Sequence, residues 1–303
     1  MTYDIIILGS GPAGLTAALY GARANKSTLV LGGDSLGGQM DEIAKLENYP
    51  GWAGSGTELA EFMKKQAESF GAEFKMEHCV YIENKKDGSW EVRTQKQNYE
   101  AKSVIIATGA SPRKLEIAGT KEFLGKGVSY CATCDGFFYS GKTVAVYGGG
   151  NSALNDALYL ANIAKKVYII YRKSSFTRAE AILVKRALET KNIECVFDTE
   201  ISEVIGNESG MNGIKTNHGN EIESDGLFVA IGHEANTDFL PEDYDRDHLG
   251  RLLTDPNSAR IVDGLFAAGD VRHTGKMQIC TATGWGCEAA MDAIMYLNKI
   301  EKI

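Results

Sequence analysis

The sequence predicts an α/β protein of two similar three-layer domains, each a parallel-sheet core with inserted antiparallel strands. The first observation is a strand–glycine turn–helix–strand pattern that occurs near the amino terminus and again in mid-chain. The second is a buried-strand run ending in Ala-x-Gly, found downstream of each copy at 104–109 and 227–232. The third is length, because 303 residues suit two domains at roughly 100 to 200 residues each.

The first copy comprises a strand at 4–8, the turn Gly9-Ser10-Gly11-Pro12-Ala13-Gly14, a helix at 15–24 and a strand at 27–31. In a G-x-G-x-x-G turn the first glycine permits a tight bend, and the second lets the backbone approach a pyrophosphate. The third glycine brings the helix against the strand, so that the helix N-terminus faces the anion. The turn therefore predicts a Rossmann-type dinucleotide site.

The second copy comprises a strand at 143–147, the turn Gly148-Gly149-Gly150-Asn151-Ser152-Ala153, a helix at 154–163 and a strand at 166–171. Between each turn and its closing strand lies an alternating or turn-rich segment, at 90–99 and 201–223, which predicts antiparallel β insertions. The predicted fold is thus two Rossmann-like, FAD/NAD(P)-binding-type domains.

Linker-like segments divide the chain. Gly, Ser and Pro follow the first closing strand, and a similar polar stretch containing Pro241 follows the second. The remainder is too short for a third core and carries a strand at 264–268, Gly269-Asp270 and a helix at 284–297. The predicted domains are 1–111 with 242–303, and 112–241.

Composition excludes several partners. The net charge is −8, with 32 Lys and Arg against 40 Asp and Glu, so nucleic acid is not an expected partner. The longest apolar runs are strand-sized, which predicts no membrane span. No export signal is recognisable, so a cytoplasmic location is expected.

Of six cysteines, only Cys131 and Cys134 are closely spaced. A zinc site normally needs a second pair or histidines at matching spacing, so we expect no metal, and redox chemistry is the leading interpretation. Asp135, directly beside the pair, is a candidate acid/base for thiol exchange. Its alternative role is that of a helix cap or a solvated turn residue.

With Cys131-Ala132-Thr133-Cys134-Asp135-Gly136 between two such turns, the chain resembles the low-molecular-weight thioredoxin reductases over essentially its whole length. Further matching segments are 9–14, 37–39, 47–51, 148–153, Gly269-Asp270 and Gln278. The resemblance implies an FAD flavoprotein that passes two electrons to the Cys131/Cys134 disulfide and on to thioredoxin. It also implies a rotating small domain and a homodimer.

By position in the family motif, Cys134 would face the flavin, Cys131 would attack thioredoxin, and Asp135 would be the acid/base. The resemblance assigns FAD to the first domain and the C-terminal segment. The candidate FAD residues are Gly9, Gly11, Ala13, Gly14, Asp34, Gly38, Gln39, Asn48, Thr108, Gly109, Asp270, Gln278 and Ile279. The candidate nicotinamide-nucleotide residues are Gly148, Gly150, Asn151, Ser152, Ala153, Arg172 and Arg178.

The sequence leaves the electron donor open. NADPH-using relatives carry H-R-R-x-x-x-R, whose arginines bind the 2′-phosphate in bidentate fashion. Here Tyr171 replaces the histidine, Lys173 replaces the second arginine, and one extra residue precedes Arg178. Lysine offers a point charge in place of a planar fork. The change weakens the case for NADPH, and reduced ferredoxin is an equal candidate, with NADH third.

Two other functions fit parts of the sequence. One is the flavin reductase of a peroxiredoxin system, which generally carries an additional N-terminal domain, whereas this chain begins at the first nucleotide-type strand. The other is a non-catalytic dinucleotide- or metal-binding module, which would leave the C-x-x-C pair and Asp135 without a role.

Overall fold

A computed structural model describes residues 2–43, 46–273 and 277–301, which include every candidate site residue. The chain forms two compact units, defined here as unit 1, Met1–Ser111 with Glu234–Ile303, and unit 2, Pro112–His233. No helix within the described ranges is long and apolar enough to cross a membrane.

The helices are α1 (Pro12–Arg23), α2 (Gly56–Glu68), α3 (Ala132–Asp135), α4 (Asn151–Ala161), α5 (Ala181–Glu189) and α6 (Ile279–Ile300). The strands up to Pro112 are β1 (Thr2–Leu8), β2 (Thr28–Leu31), β3 (Glu73–Lys75), β4 (Cys79–Asn84), β5 (Trp90–Thr94), β6 (Asn98–Ile106) and β7 (Ala110–Pro112). Those that follow are β8 (Val128–Ser129), β9 (Thr143–Tyr147), β10 (Lys166–Ile170), β11 (Ile193–Val196), β12 (Ile201–Asn207), β13 (Gly210–Thr216), β14 (Glu221–Glu223), β15 (Gly226–Val229), β16 (His233–Ala235), β17 (Arg260–Val262) and β18 (Leu265–Ala267).

Unit 1 is a three-layer structure around a sheet ordered β17-β18-β6-β1-β2-β3, with β4 and β5 continuing antiparallel from β6. Successive side chains of a strand point to opposite faces. Ile5 and Ile7 therefore pack with α1 and α6, whereas Ile6 and Leu8 pack on the face that also buries Trp90. Burying each such side chain contributes about 1.5–3 kcal/mol to folding.

Unit 2 repeats this plan. Its parallel sheet has the order β11-β10-β9-β15-β8, and β12, β13 and β14 form a separate antiparallel sheet. Val144 and Val146 pack on the side of α4 and α5, whereas Ala145 packs with Ile201 and Ile214 of the antiparallel insertion. The predicted fold class is therefore confirmed, including the antiparallel insertions of both units.

Three predicted helix starts were wrong. α1 begins at Pro12 and α4 at Asn151, because both helices start inside the glycine turns themselves. α6 begins at Ile279, not Gly284, because Gln278 and Thr281 form a capping box there. Gly286 lies inside α6, where a Cβ would come within 2.1 Å of the Ala13 carbonyl oxygen of α1. A close helix crossing thus explains a glycine that otherwise favours a helix end.

The return from unit 2 to unit 1 also lies earlier than the predicted 241/242 boundary. It falls between His233 and Glu234, so residues 234–241 belong to unit 1. Asn236 explains the shift, because its side-chain amide donates to the Thr108 carbonyl at 3.0 Å, and Thr108 Oγ1 donates to the Asn236 carbonyl at 2.7 Å.

Candidate active site and nucleotide sites

Cys131 and Cys134 form a disulfide in unit 2, with Cα atoms 5.3 Å apart. The pair lies just after β8, at the start of the short helix α3. Cys131 is half-buried and Cys134 exposed. Both sulfur atoms thus belong to one tight local turn, as the C-x-x-C spacing predicts.

The two sulfur atoms have different surroundings. Cys131 caps α3, and its Sγ accepts a hydrogen bond from the Cys134 backbone N–H at 3.1 Å. Thr133 Oγ1 lies 3.4 Å from the same sulfur. Donors directed at a sulfur favour its thiolate form once the disulfide is reduced. The arrangement therefore makes Cys131 the better nucleophile of the reduced pair.

Asp135 is held beside the pair by a residue that sequence reasoning missed. Ser129 Oγ donates to Asp135 Oδ2 at 2.6 Å and accepts the Cys131 backbone N–H at 3.0 Å. The Asp135 backbone N–H in turn donates to the Cys131 carbonyl at 3.2 Å. Burial raises the pKa of nearby Tyr139, and the Asp135 carboxylate raises it further.

A pair of exposed aromatic rings follows the motif directly. The side chains of Phe137 and Phe138 are 77% and 69% exposed, and their rings meet edge to face at 6.3 Å. Large apolar side chains that are adjacent and exposed mark interaction surfaces. These two residues also lay outside the sequence predictions.

In unit 1 the first glycine turn is closely packed at its outer positions and open in the middle. A Cβ on Gly9 would lie 2.3 Å from the Ala107 carbonyl oxygen, and one on Gly14 would lie 2.0 Å from the Gly9 oxygen. A Cβ on Gly11 would meet nothing nearer than the Gly37 oxygen at 3.8 Å. α1 starts beyond Gly11 with no side-chain cap and no acidic residue in its first turn. This is the geometry of an anion site at a helix N-terminus.

Other candidate residues of unit 1 surround this turn or bond to one another. Gly38 has φ +55°, and a Cβ there would lie 3.7 Å from the Gly11 Cα. Gln39 Nε2 donates to the Ala110 carbonyl, one residue after Gly109, at 2.7 Å. Asn48 Nδ2 donates to Gln278 Oε1 at 3.1 Å, at the N-terminus of α6.

Ser10 and His78 are two further residues of this region that the sequence did not single out. Ser10 Oγ is 2.9 Å from the Gly32 carbonyl oxygen, so it ties the turn to the end of β2. His78 Nε2 is 2.8 Å from Asp34 Oδ2, and its ring lies 3.4 Å from where a Gly33 Cβ would be. Asp34 therefore has a protein partner in addition to its candidate ribose role.

Asp270 directly follows Gly269, in the segment after β18, and is half-buried with its Oδ1 shielded from solvent. Its Oδ1 has no hydrogen-bond partner, and burial raises the pKa of the carboxyl to about 6. A buried carboxylate oxygen without a donor is costly, and a ligand hydroxyl would satisfy it. A Cβ on Gly269 would come within 3.0 Å of the Ala13 Cβ, so Asp270 belongs to the same region as the first turn.

The second glycine turn repeats the packing of the first. A Cβ on Gly148 would lie 2.1 Å from the Ala230 oxygen, at the end of β15, and a Cβ on Gly150 would meet nothing within 4 Å. α4 starts at Asn151 without a side-chain cap, followed by exposed Ser152 and buried Ala153. The turn thus keeps the open middle position that a pyrophosphate requires.

The segment after β10 packs on this second turn. A Cβ on Gly149 would lie 2.4 Å from the Tyr171 ring, and Phe176 stacks on that ring at 5.8 Å. Asn151 Nδ2 donates to Glu180 Oε1 at 2.8 Å, and the Glu180 backbone N–H donates to Asn151 Oδ1 at 2.7 Å. This segment therefore touches the turn at two points.

The basic residues of the same segment differ in their contacts. Arg172 and Arg178 are exposed, whereas Lys173 Nζ lies 3.4 Å from Thr177 Oγ1. Arg172 directly follows Tyr171, and Arg178 lies two residues before Glu180, so the two arginines border the residues that touch the turn.

The chain resembles known proteins over nearly its whole length. The profile of the family described as "Pyridine nucleotide-disulphide oxidoreductase" matches residues 3–286. The thioredoxin reductase of Treponema pallidum is 42% identical, over 99% of this chain and 98% of the relative. The chain belongs to the thioredoxin reductases. It is accordingly an FAD-dependent disulfide oxidoreductase of two nucleotide-binding-type units.

Solved structures agree with this assignment. The structure of Lactococcus lactis thioredoxin reductase in its "FR conformation" has a TM-score of 0.94 and 37% identity, covering 98% of this chain and all of that one. A ferredoxin-flavin thioredoxin reductase from Clostridium acetobutylicum has a TM-score of 0.56 and 30% identity, with complete coverage of both chains.

The residues of unit 1 fit FAD on structural grounds. The open position at Gly11 suits a pyrophosphate against the N-terminus of α1, and the unpartnered Asp270 Oδ1 suits a ribose or ribityl hydroxyl. Among the described residues, no group of three or more His, Cys, Asp or Glu is placed to hold a metal ion.

Proposed function

We propose that this chain reduces the disulfide of thioredoxin through its Cys131/Cys134 pair. The observation that carries the proposal is the redox disulfide of the C-A-T-C-D-G motif with Asp135 bonded beside it. The relatives found by comparison are named thioredoxin reductases, which favours thioredoxin over a peroxiredoxin as the partner. A non-catalytic module would not require a disulfide with a neighbouring, anchored carboxylate.

In the proposed reaction, the Cys131 thiolate attacks one sulfur of the thioredoxin disulfide, and the other sulfur leaves as a thiolate. Cys134 then loses its proton and attacks Cys131 Sγ, which releases the second thioredoxin thiolate and restores the Cys131–Cys134 disulfide. Two electrons and two protons pass from the enzyme dithiol to thioredoxin. Asp135 takes the proton from a thiol or supplies one to a departing thiolate.

Unit 1 would hold the FAD on which the cycle depends. Two contacts support this proposal: the glycine turn Gly9, Gly11 and Gly14 would bind the pyrophosphate, and Asp270 would bind a hydroxyl group. The remaining candidate FAD residues are Ala13, Asp34, Gly38, Gln39, Asn48, Thr108, Gly109, Gln278 and Ile279. When bound, FAD supplies a two-electron relay between the electron donor and the disulfide. The protein residues bind and orient it and exclude competing reactions.

Phe137 and Phe138 support thioredoxin as the partner. They lie two and three residues beyond Asp135, and both rings are exposed. A protein substrate whose disulfide must reach Cys131 has to dock around that cysteine, and exposed aromatic residues are frequent anchors of such contacts. We therefore propose that Phe137 and Phe138 form part of the surface on which thioredoxin docks.

NADPH is the donor we propose. The second turn keeps an open Gly150 and an uncapped helix N-terminus, which suits a nucleotide pyrophosphate. Arg172 and Arg178 are exposed and border the residues packed on that turn, which suits a 2′-phosphate. The burial of Tyr171 against Gly149 is the observation that favours the second candidate, reduced ferredoxin.

Anaerobic reduction of the flavin by NADPH, NADH and reduced ferredoxin in parallel tests the donor. We expect NADPH to bleach the visible flavin absorbance fastest. The double substitution Arg172→Ala/Arg178→Ala should slow flavin reduction by NADPH about tenfold, which corresponds to losing roughly 1.4 kcal/mol of contacts to the 2′-phosphate. The rate of flavin reduction by NADH should not change. Bleaching by ferredoxin alone would contradict the proposed donor but leave the thioredoxin proposal intact.

A homodimer and a cytoplasmic location complete the proposal. Large apolar side chains of unit 1, including Phe62, Met291 and Met295, are more than half exposed, which is typical of subunit interfaces. Four cysteines within the described residues are free thiols, which suits a reducing compartment. Light scattering of the purified flavoprotein should give the mass of two chains; the mass of one chain would contradict the dimer.

A further inference from the structure

Ser129 is fixed in place before it touches the active site. It is the last residue of β8, where it pairs with Phe228 of β15, and it is only 4% exposed. Two residues later the chain reaches Cys131. A buried serine on a sheet strand has few orientations available, so its hydroxyl direction is determined by its partners.

The Ser129 hydroxyl has three polar neighbours and one proton to donate. Asp135 Oδ2 lies at 2.6 Å, whereas the Cys131 carbonyl oxygen lies at 3.2 Å. The proton is therefore shared mainly with the carboxylate, since hydrogen bonds to charged oxygen are shorter and stronger. The Cys131 N–H, at 3.0 Å, donates to the hydroxyl from the other side. Ser129 thus connects the acid/base candidate to the backbone of the cysteine beside which it must act.

We propose that Ser129 is a positioning residue for thiol–disulfide exchange, which acts by holding the Asp135 carboxylate in one orientation next to the cysteine pair. The inference rests on the proposed acid/base role of Asp135. An aspartate side chain that is half-exposed would otherwise sample several rotamers, and proton transfer requires its oxygen within hydrogen-bond reach of the sulfur.

The test is a double-mutant cycle on the half-reaction with thioredoxin. The flavoprotein is first reduced photochemically, so that the donor plays no part, and is then mixed anaerobically with oxidised thioredoxin while flavin reoxidation is followed. We expect Ser129→Ala to slow this step about tenfold, or about 1.4 kcal/mol, because the substitution removes a hydrogen bond to a charged carboxylate. Ser129→Thr, which keeps the hydroxyl, should recover most of the rate.

The decisive comparison is with Asp135→Asn, which we expect to slow the same step by about 10²-fold or more. Adding Ser129→Ala to Asp135→Asn should cause no further loss, because the serine acts through the carboxylate. Another tenfold loss in the double variant would overturn the positioning role but leave the role of Asp135 standing. An Asp135→Asn variant as fast as the parent would overturn both.

Two controls distinguish a loss of positioning in Ser129→Ala from general structural damage. Ser140→Ala removes an exposed serine hydroxyl five residues beyond Asp135 and should leave the rate unchanged. Alkylation of the reduced protein by iodoacetamide, with mapping of the modified cysteine, needs neither thioredoxin nor a flavin signal. Ser129→Ala and Asp135→Asn should change the alkylation rate of the pair in the same direction; opposite or unrelated changes would overturn the inference.

Discussion

Replacing either Cys131 or Cys134 with serine should lower thioredoxin reduction by about three orders of magnitude or more. A serine hydroxyl is a far weaker nucleophile than a thiolate and cannot restore the disulfide, so the cycle cannot close. FAD content should remain that of the parent, because both cysteines lie in unit 2 and the proposed FAD residues lie in unit 1. Steady-state turnover and visible flavin absorbance measure the two properties separately.

The same variants distinguish the roles of the two sulfur atoms. The probe is a thioredoxin with one cysteine, carrying thionitrobenzoate in disulfide linkage. Cys134→Ser keeps the Cys131 thiolate, which should displace thionitrobenzoate and leave a stable mixed disulfide. Cys131→Ser should react at least tenfold more slowly, because it lacks the sulfur that accepts the Cys134 N–H. The reverse order would exchange the proposed roles.

Cys195→Ser is the matched control for this experiment. Cys195 belongs to the same unit, is a free thiol, and has its pKa raised by burial and by the Glu194 carboxylate. Its thiol is therefore largely protonated at neutral pH and a poor nucleophile. A loss of turnover in Cys195→Ser would indicate that serine substitutions damage unit 2 generally.

The strand–turn–helix units were predictable because their signals are local. The strand predicted at 143–147 is found as Thr143–Tyr147, since a β-branched run next to a glycine turn is contained in a short stretch of sequence. Glycine was less informative wherever a distant contact explained it. The last helix was predicted to start at Gly284, yet Gly284 lies inside α6, as does Gly286, which faces α1 across a close crossing.

The active-site partners were harder to predict because they come from elsewhere in the chain or from common residue types. Ser10, bonded to Gly32, and Ser129, bonded to Asp135, have no sequence signature beyond being serines near a motif. Asn236 reaches Thr108 across 128 residues of sequence. Such contacts depend on how strands are brought together, which neither periodicity nor motif spacing encodes.

A substitution at Gly11 is the second change for which we expect a large effect, on FAD affinity. Unlike Gly9 and Gly14 in the same turn, Gly11 has room for a side chain. Gly9→Ala would place a Cβ 2.3 Å from the Ala107 oxygen at φ +107°, so we expect that variant to lose both stability and FAD. At Gly11, with φ −71°, an added Cβ meets only the Gly37 oxygen at 3.8 Å. Gly11→Val should therefore fold as the parent does.

The space that the Gly11→Val side chain would enter is the space over the uncapped N-terminus of α1, where the pyrophosphate is proposed to lie. We expect FAD affinity to fall by more than about tenfold, or 1.4 kcal/mol, through steric exclusion of the phosphate from the helix N–H groups. Equilibrium titration of the apoprotein with FAD, followed by fluorescence quenching, measures the affinity, and thermal unfolding of the apoprotein measures folding.

Gly284→Ala is the control, since it adds a Cβ to open space in α6 of the same unit. It should keep FAD affinity and raise the stability of unit 1 by up to about 1 kcal/mol through helix propensity. If Gly11→Val bound FAD as tightly as Gly284→Ala, the pyrophosphate could not lie at this turn. If Gly11→Val instead unfolded the apoprotein, the expectation that a side chain fits at Gly11 would be wrong. Asp270→Asn, which removes the unpartnered carboxylate, would then be the test of FAD binding to unit 1.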